Sequence, residues 1–221
     1  MSMDNSGSVQ APERHPLVRF SRALDRGLTF AGMVGSWLSI PLIFIIIFDI
    51  VTRRFLVLGS TKLQEMEWHL HAALFLLALG FGYLRNSHVR IEVVRERFSQ
   101  LWKARLEVTG ITLFLIPYAA LVIWFGLDFA QRSFSMNEVS SALTGLSHRW
   151  IIKSFVPFGM LLLLVAGVAV LLRNLAYLVL LETGQTAAAL ELSKSLPELR
   201  NPEEELRAAA AQETQAIRGE Q

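Results

Sequence analysis

Four of the five histidines, a Glu-x-Glu pair, one aspartate inside an apolar run and a closely spaced Arg, His, Arg group are the residues of this chain able to support chemistry. His69 and His71 stand in EMEWHLHAAL, His88 in RNSHVRIE and His148 in GLSHRW. Two histidines on different helices of a membrane bundle can hold a haem between them, and His69 or His71 would fall at the same end of such a bundle as His148. Against that use, the other apolar runs contain no histidine of their own, and His148 would have to be drawn into a helix. Glu65 and Glu67 point in different directions on a helix, which leaves no carboxylate pair for acid–base work. No glycine-rich phosphate loop, nucleophile elbow or zinc spacing occurs. The absence of cysteine excludes disulfides, thiolate metal sites and cysteine nucleophiles. These residue types give no footing for an enzyme, and neither a cofactor nor a metal is expected on this chain.

The elements that must position these groups are membrane spans. With 52% hydrophobic residues, 18% charged and a mean hydropathy of +0.41, the composition lies outside the soluble range. A hydrocarbon core of about 30 Å requires about 20 helical residues. Four runs reach that length, at about 30–51, 65–84, 106–127 and 150–181, so the expected fold is an all-α integral membrane protein with four transmembrane helices. The membrane domain, 30–182, separates an N-terminal tail, 1–29, from a C-terminal tail, 183–221, whose Glu-, Ala- and Gln-rich composition fits a soluble segment that is partly helical or disordered. The first run reads as an uncleaved anchor, since it has full span length and no small-residue cleavage site follows it. Asp49 lies near its end beside Arg53 and Arg54, where a carboxylate costs far less than the roughly 2.5–3.5 kcal/mol of the midplane. It reads as an interface or helix-pairing residue rather than an ion ligand. Pro41, Pro117 and Pro157 fall inside spans and should kink them.

Between the second and third spans, Ile91, Val94, Phe98, Leu101 and Trp102 recur at helical spacing with charged residues between them. This is the pattern of an amphipathic helix lying in the interface, with a solvated connector as the alternative. The last apolar run continues past Arg173 to Leu181, about 45 Å of helix, so it must tilt or protrude, with Arg173 snorkelling to the headgroups. Ala31, Gly32, Gly35 and Ser36, and again Ala78, Gly80 and Gly82, mark faces for close helix approach within the bundle or to a partner. The N-terminal tail and second loop carry ten Lys and Arg against five in the first and third loops, which places both termini in the cytoplasm. The middles of the spans are almost wholly apolar and lack the ionisable groups that mark a substrate pathway. A chain that transports nothing alone must serve another component.

The segment LGFGYLRNSHVRIEVV resembles the end of the second span in the DctQ family, the small membrane subunit of tripartite ATP-independent periplasmic (TRAP) transporters, with Arg85, His88, Val89, Arg90, Ile91 and Glu92 as the matching residues. EVSSALTGLSHRWIIKSFVPFGMLLLL is similar to that family's passage into its fourth span, through Glu138, Ser140, Gly145, Trp150, Pro157 and Gly159. The likeness covers about 25–173. It departs at Glu92, where the family commonly has aspartate, and at Ser147 and His148, where a proline often precedes the tryptophan. The resemblance implies a scaffold subunit of the bacterial inner membrane that braces a large DctM-type membrane subunit. The large subunit would hold the substrate and sodium sites, and a periplasmic binding protein would deliver an organic acid of carboxylate or sialic-acid type. On that view Arg85, His88, Arg90, Glu92 and Asp49 are candidate contacts to the large subunit or to lipid, with the positive-inside signal as the plainer reading of the basic ones. Arg132, Glu138, His148 and Arg149 fall in a candidate periplasmic docking loop. A haem-bearing four-helix anchor of a quinone-linked redox complex is the alternative.

Overall fold

A proline at the first helical position costs no hydrogen bond, and Pro16 opens α1 (Pro16–Trp37) there. The computed structural model describes residues 15–56, 59–87 and 98–199, and the regular elements among them are all helices. After α1 the chain breaks at Leu38 and resumes as α2 (Ser39–Phe55). Pro41 accounts for the break: it has no N–H for the Trp37 carbonyl, and the Leu38 N–H closes a tighter bond to Gly35 O at 3.0 Å. α3 (Thr61–Leu84) is capped by Ser60, whose hydroxyl accepts from the Leu63 N–H. α4 (Gln100–Gly110) passes through a single wide turn, Ile111–Leu115, into α5 (Ile116–Ser135). That wide turn is how the chain absorbs Pro117: the Ile116 N–H reaches back five residues to Ile111 O, a π-type bond. α6 (Trp150–Glu182) holds Pro157 within it, and α7 (Thr186–Ser195) follows a turn at Gly184, whose φ of 76° favours glycine.

α6 is the central helix, flanked by α3 and α5, with α1 lying along both α3 and α6 and α2 on α3. α3 and α6 run parallel and touch at two glycines. A Cβ on Gly159 would lie 2.8 Å from the Leu76 carbonyl oxygen, and one on Gly80 would lie 2.7 Å from that of Leu162. Gly32 and Gly35 of α1 face Phe81 and Leu77 of α3 in the same manner, so these small-residue faces are used inside the chain. Gly82 faces open space.

Among the described residues, three helical stretches are long and apolar enough to cross a membrane: Pro16–Phe55, Gln100–Ser135 and Trp150–Glu182. α3 is 24 residues long, about 36 Å, but Glu65, Glu67, His69 and His71 lower the hydropathy of its first half. Ile43, Phe44, Ile47 and Phe48 on α2, and Phe114, Leu121, Trp124 and Phe125 on the helix through α5, are all exposed. Apolar surface of that extent needs lipid or a partner to cover it, and the chain is a membrane protein.

The excess length of α6 is used at the end of the bundle where α1 begins and α7 packs. Val18 of α1, Ala104 of α4, Tyr177 and Leu180 of α6, and Leu192 and Leu196 from the α7 segment bury one another there. Two sequence expectations change as a result. The helix expected from about Phe30 begins at Pro16, because Val18, Ser21 and Leu28 bury a face of it against α6 and its neighbours. Arg173 does not snorkel: it is buried in protein, where Asp25 and Glu198 offer it carboxylates at 3.2 and 3.8 Å. Most of the amphipathic stretch Ile91 to Trp102 lies outside the described residues.

If the α3–α6 seam depends on backbone approach, Gly159→Val must push Leu76 away. The expected cost is about 1–3 kcal/mol of overpacking, read as a lower melting temperature in detergent, while Gly82→Ala, which faces open space, leaves the melting temperature unchanged. Equal melting of the two variants would refute the seam.

Candidate functional site

The buried polar and charged side chains of the described residues collect at the two ends of the bundle. At the end bearing the α5–α6 loop, residues 136–149, the organising group is Glu65 in the second turn of α3. One of its carboxylate oxygens accepts from the Ser140 hydroxyl and the other from the Leu146 N–H at 2.6 Å. The loop closes on itself above this clasp, Ser140 N–H to Leu146 O at 3.0 Å and Gly145 N–H to Ala142 O at 3.0 Å. A side chain at Gly145 would collide with Ser140 and approach Glu65, so the clasp also requires that glycine. Glu138 pairs with Lys153, whose ammonium sits 3.9 Å from the centre of the Phe129 ring. The Lys153 donor holds the Glu138 carboxyl below its ordinary range. A depressed folded-state pKa means that this pair supports the loop above the usual carboxylate range and loses its contribution as acid protonates Glu138.

At the other end, Arg173 of α6 joins both tails. Its Nη1 donates to Asp25 Oδ2 of α1 at 3.2 Å, and its Nε lies 3.8 Å from Glu198 Oε1 in the segment after α7. Asn174, with 0% exposure, donates from Nδ2 to the same Glu198 oxygen at 3.1 Å and to Val170 O at 2.9 Å. Buried charges persist only when paired and hydrogen-bonded, and here one cation serves carboxylates from opposite ends of the chain.

Other residues singled out from the sequence are dispersed. Asp49 is 2% exposed and ion-pairs with Arg53 one turn on. Arg85 is exposed, its guanidinium 5.2 Å from the Phe81 ring centre, while His88, Arg90 and Glu92 lie outside the described residues. Arg132 pairs with Asp128 on the surface. The Arg149 N–H donates to Glu138 O at 3.3 Å, and His148 has a φ of 62° with its ring against the Ser147 hydroxyl, 2.9 Å away. His69 and His148 line one cavity of about 280 Å³, together with Leu38, Met66 and Ile151. His69 Nδ1 donates to Glu65 O at 2.5 Å, and His71 is exposed. The His69 and His148 rings are each oriented by a neighbour of their own. Sequence reasoning missed the roles of Glu65, Lys153, Asp25 and Glu198, because their partners stand far along the chain; the one signal available was a carboxylate at the head of an apolar run.

Substituting Glu65 with alanine leaves the Leu146 N–H without its acceptor, a loss of about 1–3 kcal/mol. Hydrogen exchange at the Leu146 amide is expected to quicken about tenfold or more, with α6 amides unaffected; unchanged exchange would mean the clasp does not hold the loop. Replacing Glu138 by glutamine should remove part of the acid sensitivity of the same loop amides.

A comparison with curated proteins gives no match. A family model, described as Tripartite ATP-independent periplasmic transporters, DctQ component, matches residues 42–177. That match takes in α3, α4, α5, the Glu65 clasp and the loop it holds. It covers more than half of the chain, which belongs to the DctQ family, the DctQ component of TRAP transporters.

Proposed function

We propose that the chain is the small scaffold subunit of a TRAP transporter of the bacterial inner membrane, bracing a large DctM-type subunit. The large subunit takes up an organic acid, of carboxylate or sialic-acid type, in symport with sodium, after a periplasmic binding protein delivers it. The observation that carries the bracing role is where the polar groups lie. Asp49, Glu65 and Ser133 are buried at one end, Arg173, Asn174 and Glu198 at the other with the half-buried Asp25 paired to Arg173, and between them the bundle is closed by Ala73, Leu77, Gly80, Gly159, Ala166 and Ala169. Transport sites are built from ionisable groups or broken helices near the midplane, and a bundle clasped at both ends and dry between them suits a fixed body.

In this reading α3 also crosses the membrane, as the second of four spans, its Glu65 end outside and its Arg85 end inside. Both termini are cytoplasmic, and sodium binds on the large subunit rather than here. Asp49, Arg85, His88, Arg90 and Glu92 are the proposed contacts to the large subunit or to lipid, and Arg132, Glu138, His148 and Arg149 belong to the loop that faces the binding protein. The broad exposed faces of α2 and α5 leave apolar surface for a membrane partner as well as for lipid.

Purification of the tagged chain from native membranes should bring down a much larger multi-span protein. Recovery of a redox subunit in its place would overturn the reading. Joint substitution of Arg85, His88 and Arg90 by serine is expected to reduce that recovery several-fold; undiminished recovery would assign these residues to topology alone. Alkaline phosphatase fused after Glu182 should be inactive, and an active fusion would reverse the orientation.

A further inference from the structure

The small residues of α1 meet two fates. Gly32 and Gly35 are closed over by Phe81 and Leu77 of α3, whereas a Cβ on Gly27 would meet nothing within 4 Å. Gly27 lies in a groove of about 490 Å³ between α1 and α6. Ala23 and Ala31 lie beside it on α1, Phe158 and Leu162 line the α6 side, and Val34 is the last α1 residue of the lining. Every residue that lines this groove is apolar.

Cations stand at the Ala23 end. Arg19 is one helical turn before Ala23, and Arg26 is one turn before Phe30, which also lines the groove. Both arginines are exposed, and neither has an ion-pair partner among the described residues, whereas Arg53, Arg132, Lys153 and Arg173 each hold a carboxylate. The depth of the groove points the same way. From Ala23 to Val34 is about 16 Å of helix, close to half of a hydrocarbon core of about 30 Å. A spanning helix of another protein needs a path across the whole core, but an acyl chain needs one leaflet. Basic groups beside an intramembrane groove at headgroup level suit an anionic lipid.

We propose that this groove holds one acyl chain of an anionic phospholipid from the leaflet at the Pro16 end of α1, with its phosphate on Arg19 and Arg26. Gly27 keeps the groove open for the chain. The lipid would fill the flank of α1 that α3 does not cover and would join α1 to α6 beyond the contacts that the protein makes itself. The site belongs to this chain alone and does not depend on the subunit reading.

The full-length chain in detergent, titrated separately with phosphatidylglycerol and phosphatidylcholine of equal acyl length and read by native mass spectrometry, tests this. At the tightest site wild type is expected to favour phosphatidylglycerol several-fold. The joint Arg19→Gln and Arg26→Gln variant, altered only at exposed side chains, should bind phosphatidylglycerol about tenfold more weakly, with phosphatidylcholine unchanged. Gly27→Leu fills the groove, and leucine favours helix over glycine, so it should weaken both lipids about tenfold without lowering the melting temperature. Equal affinity of wild type for the two lipids, or unchanged affinity in either variant, overturns the proposal. If Gly27→Leu instead reduces several-fold the larger membrane protein that the chain brings down from native membranes, a partner helix occupies the groove and the proposal is overturned as well. Failure of the subunit reading leaves these lipid affinities as predicted, because they are measured on this chain alone.

Discussion

A charge withdrawn from water must be matched where it stands, and the rest of this molecule follows from that requirement. Three buried ionic groups among the described residues lie near an end of the helix bundle and are met by a partner from a distant part of the chain or one turn away: Glu65 by the α5–α6 loop, Arg173 by Asp25 and Glu198, and Asp49 by Arg53. Leaving one such group unmatched costs about 3–5 kcal/mol, a large fraction of a domain's stability. The clasps thereby specify which segments meet. They fix the loop to α3 at one end and both tails to α6 at the other, and they do so without placing a polar atom in the middle.

The middle is held by a different kind of contact. Lipid chains are as apolar as leucine, so burial of apolar surface cannot drive helices together in a bilayer, and close packing must do it. Gly80 and Gly159 meet that need by bringing the backbones of α3 and α6 within reach of each other, and Gly32 and Gly35 do so for α1 and α3. Pro157 contributes where Gly126 of α5 packs on its ring, 3.1 Å from the place a Cβ would occupy. The apolar side chains that a soluble protein would bury, Phe44 and Trp124 among them, are left on the outside.

The sequence was most legible where physics is local. The break set by Pro41, the disturbance set by Pro117 and the close approach at Gly32, Gly35 and Gly80 each follow from residues within a few positions of one another, and the structure uses them. It was least legible where a side chain finds a partner far along the chain. Asp25 and Arg173 are 148 positions apart, and Glu65 and Leu146 are 81 apart. Nothing in the spacing of either pair announces the contact. Arg173 was misread for that reason: hydropathy alone sends a cation at the edge of a long apolar run to the headgroups, and only the fold brings it two carboxylates. α3 shows the converse, since two carboxylates and two histidines at one end of it hold its hydropathy below that of the three apolar stretches.

Rigidity at both ends constrains how such a chain can act. A transporter works by moving one body against another around a site, and a moving body needs an element with two arrangements of similar free energy. A helix pair that meets at glycine backbones and is clasped by matched charges has no second packing of comparable energy, because sliding α3 along α6 by one turn would set Gly80 and Gly159 against side chains and strip Glu65 of both its donors. Motion is therefore confined to what the clasps do not hold. The wide turn at Ile111–Leu115 is the clearest departure from a regular helical ladder in the described part of the bundle, and it lies in the helix whose outer face carries Phe114, Tyr118 and Trp124. On the scaffold reading proposed above, a subunit built in this way transmits position to whatever packs on that face as a fixed reference and not as a switch.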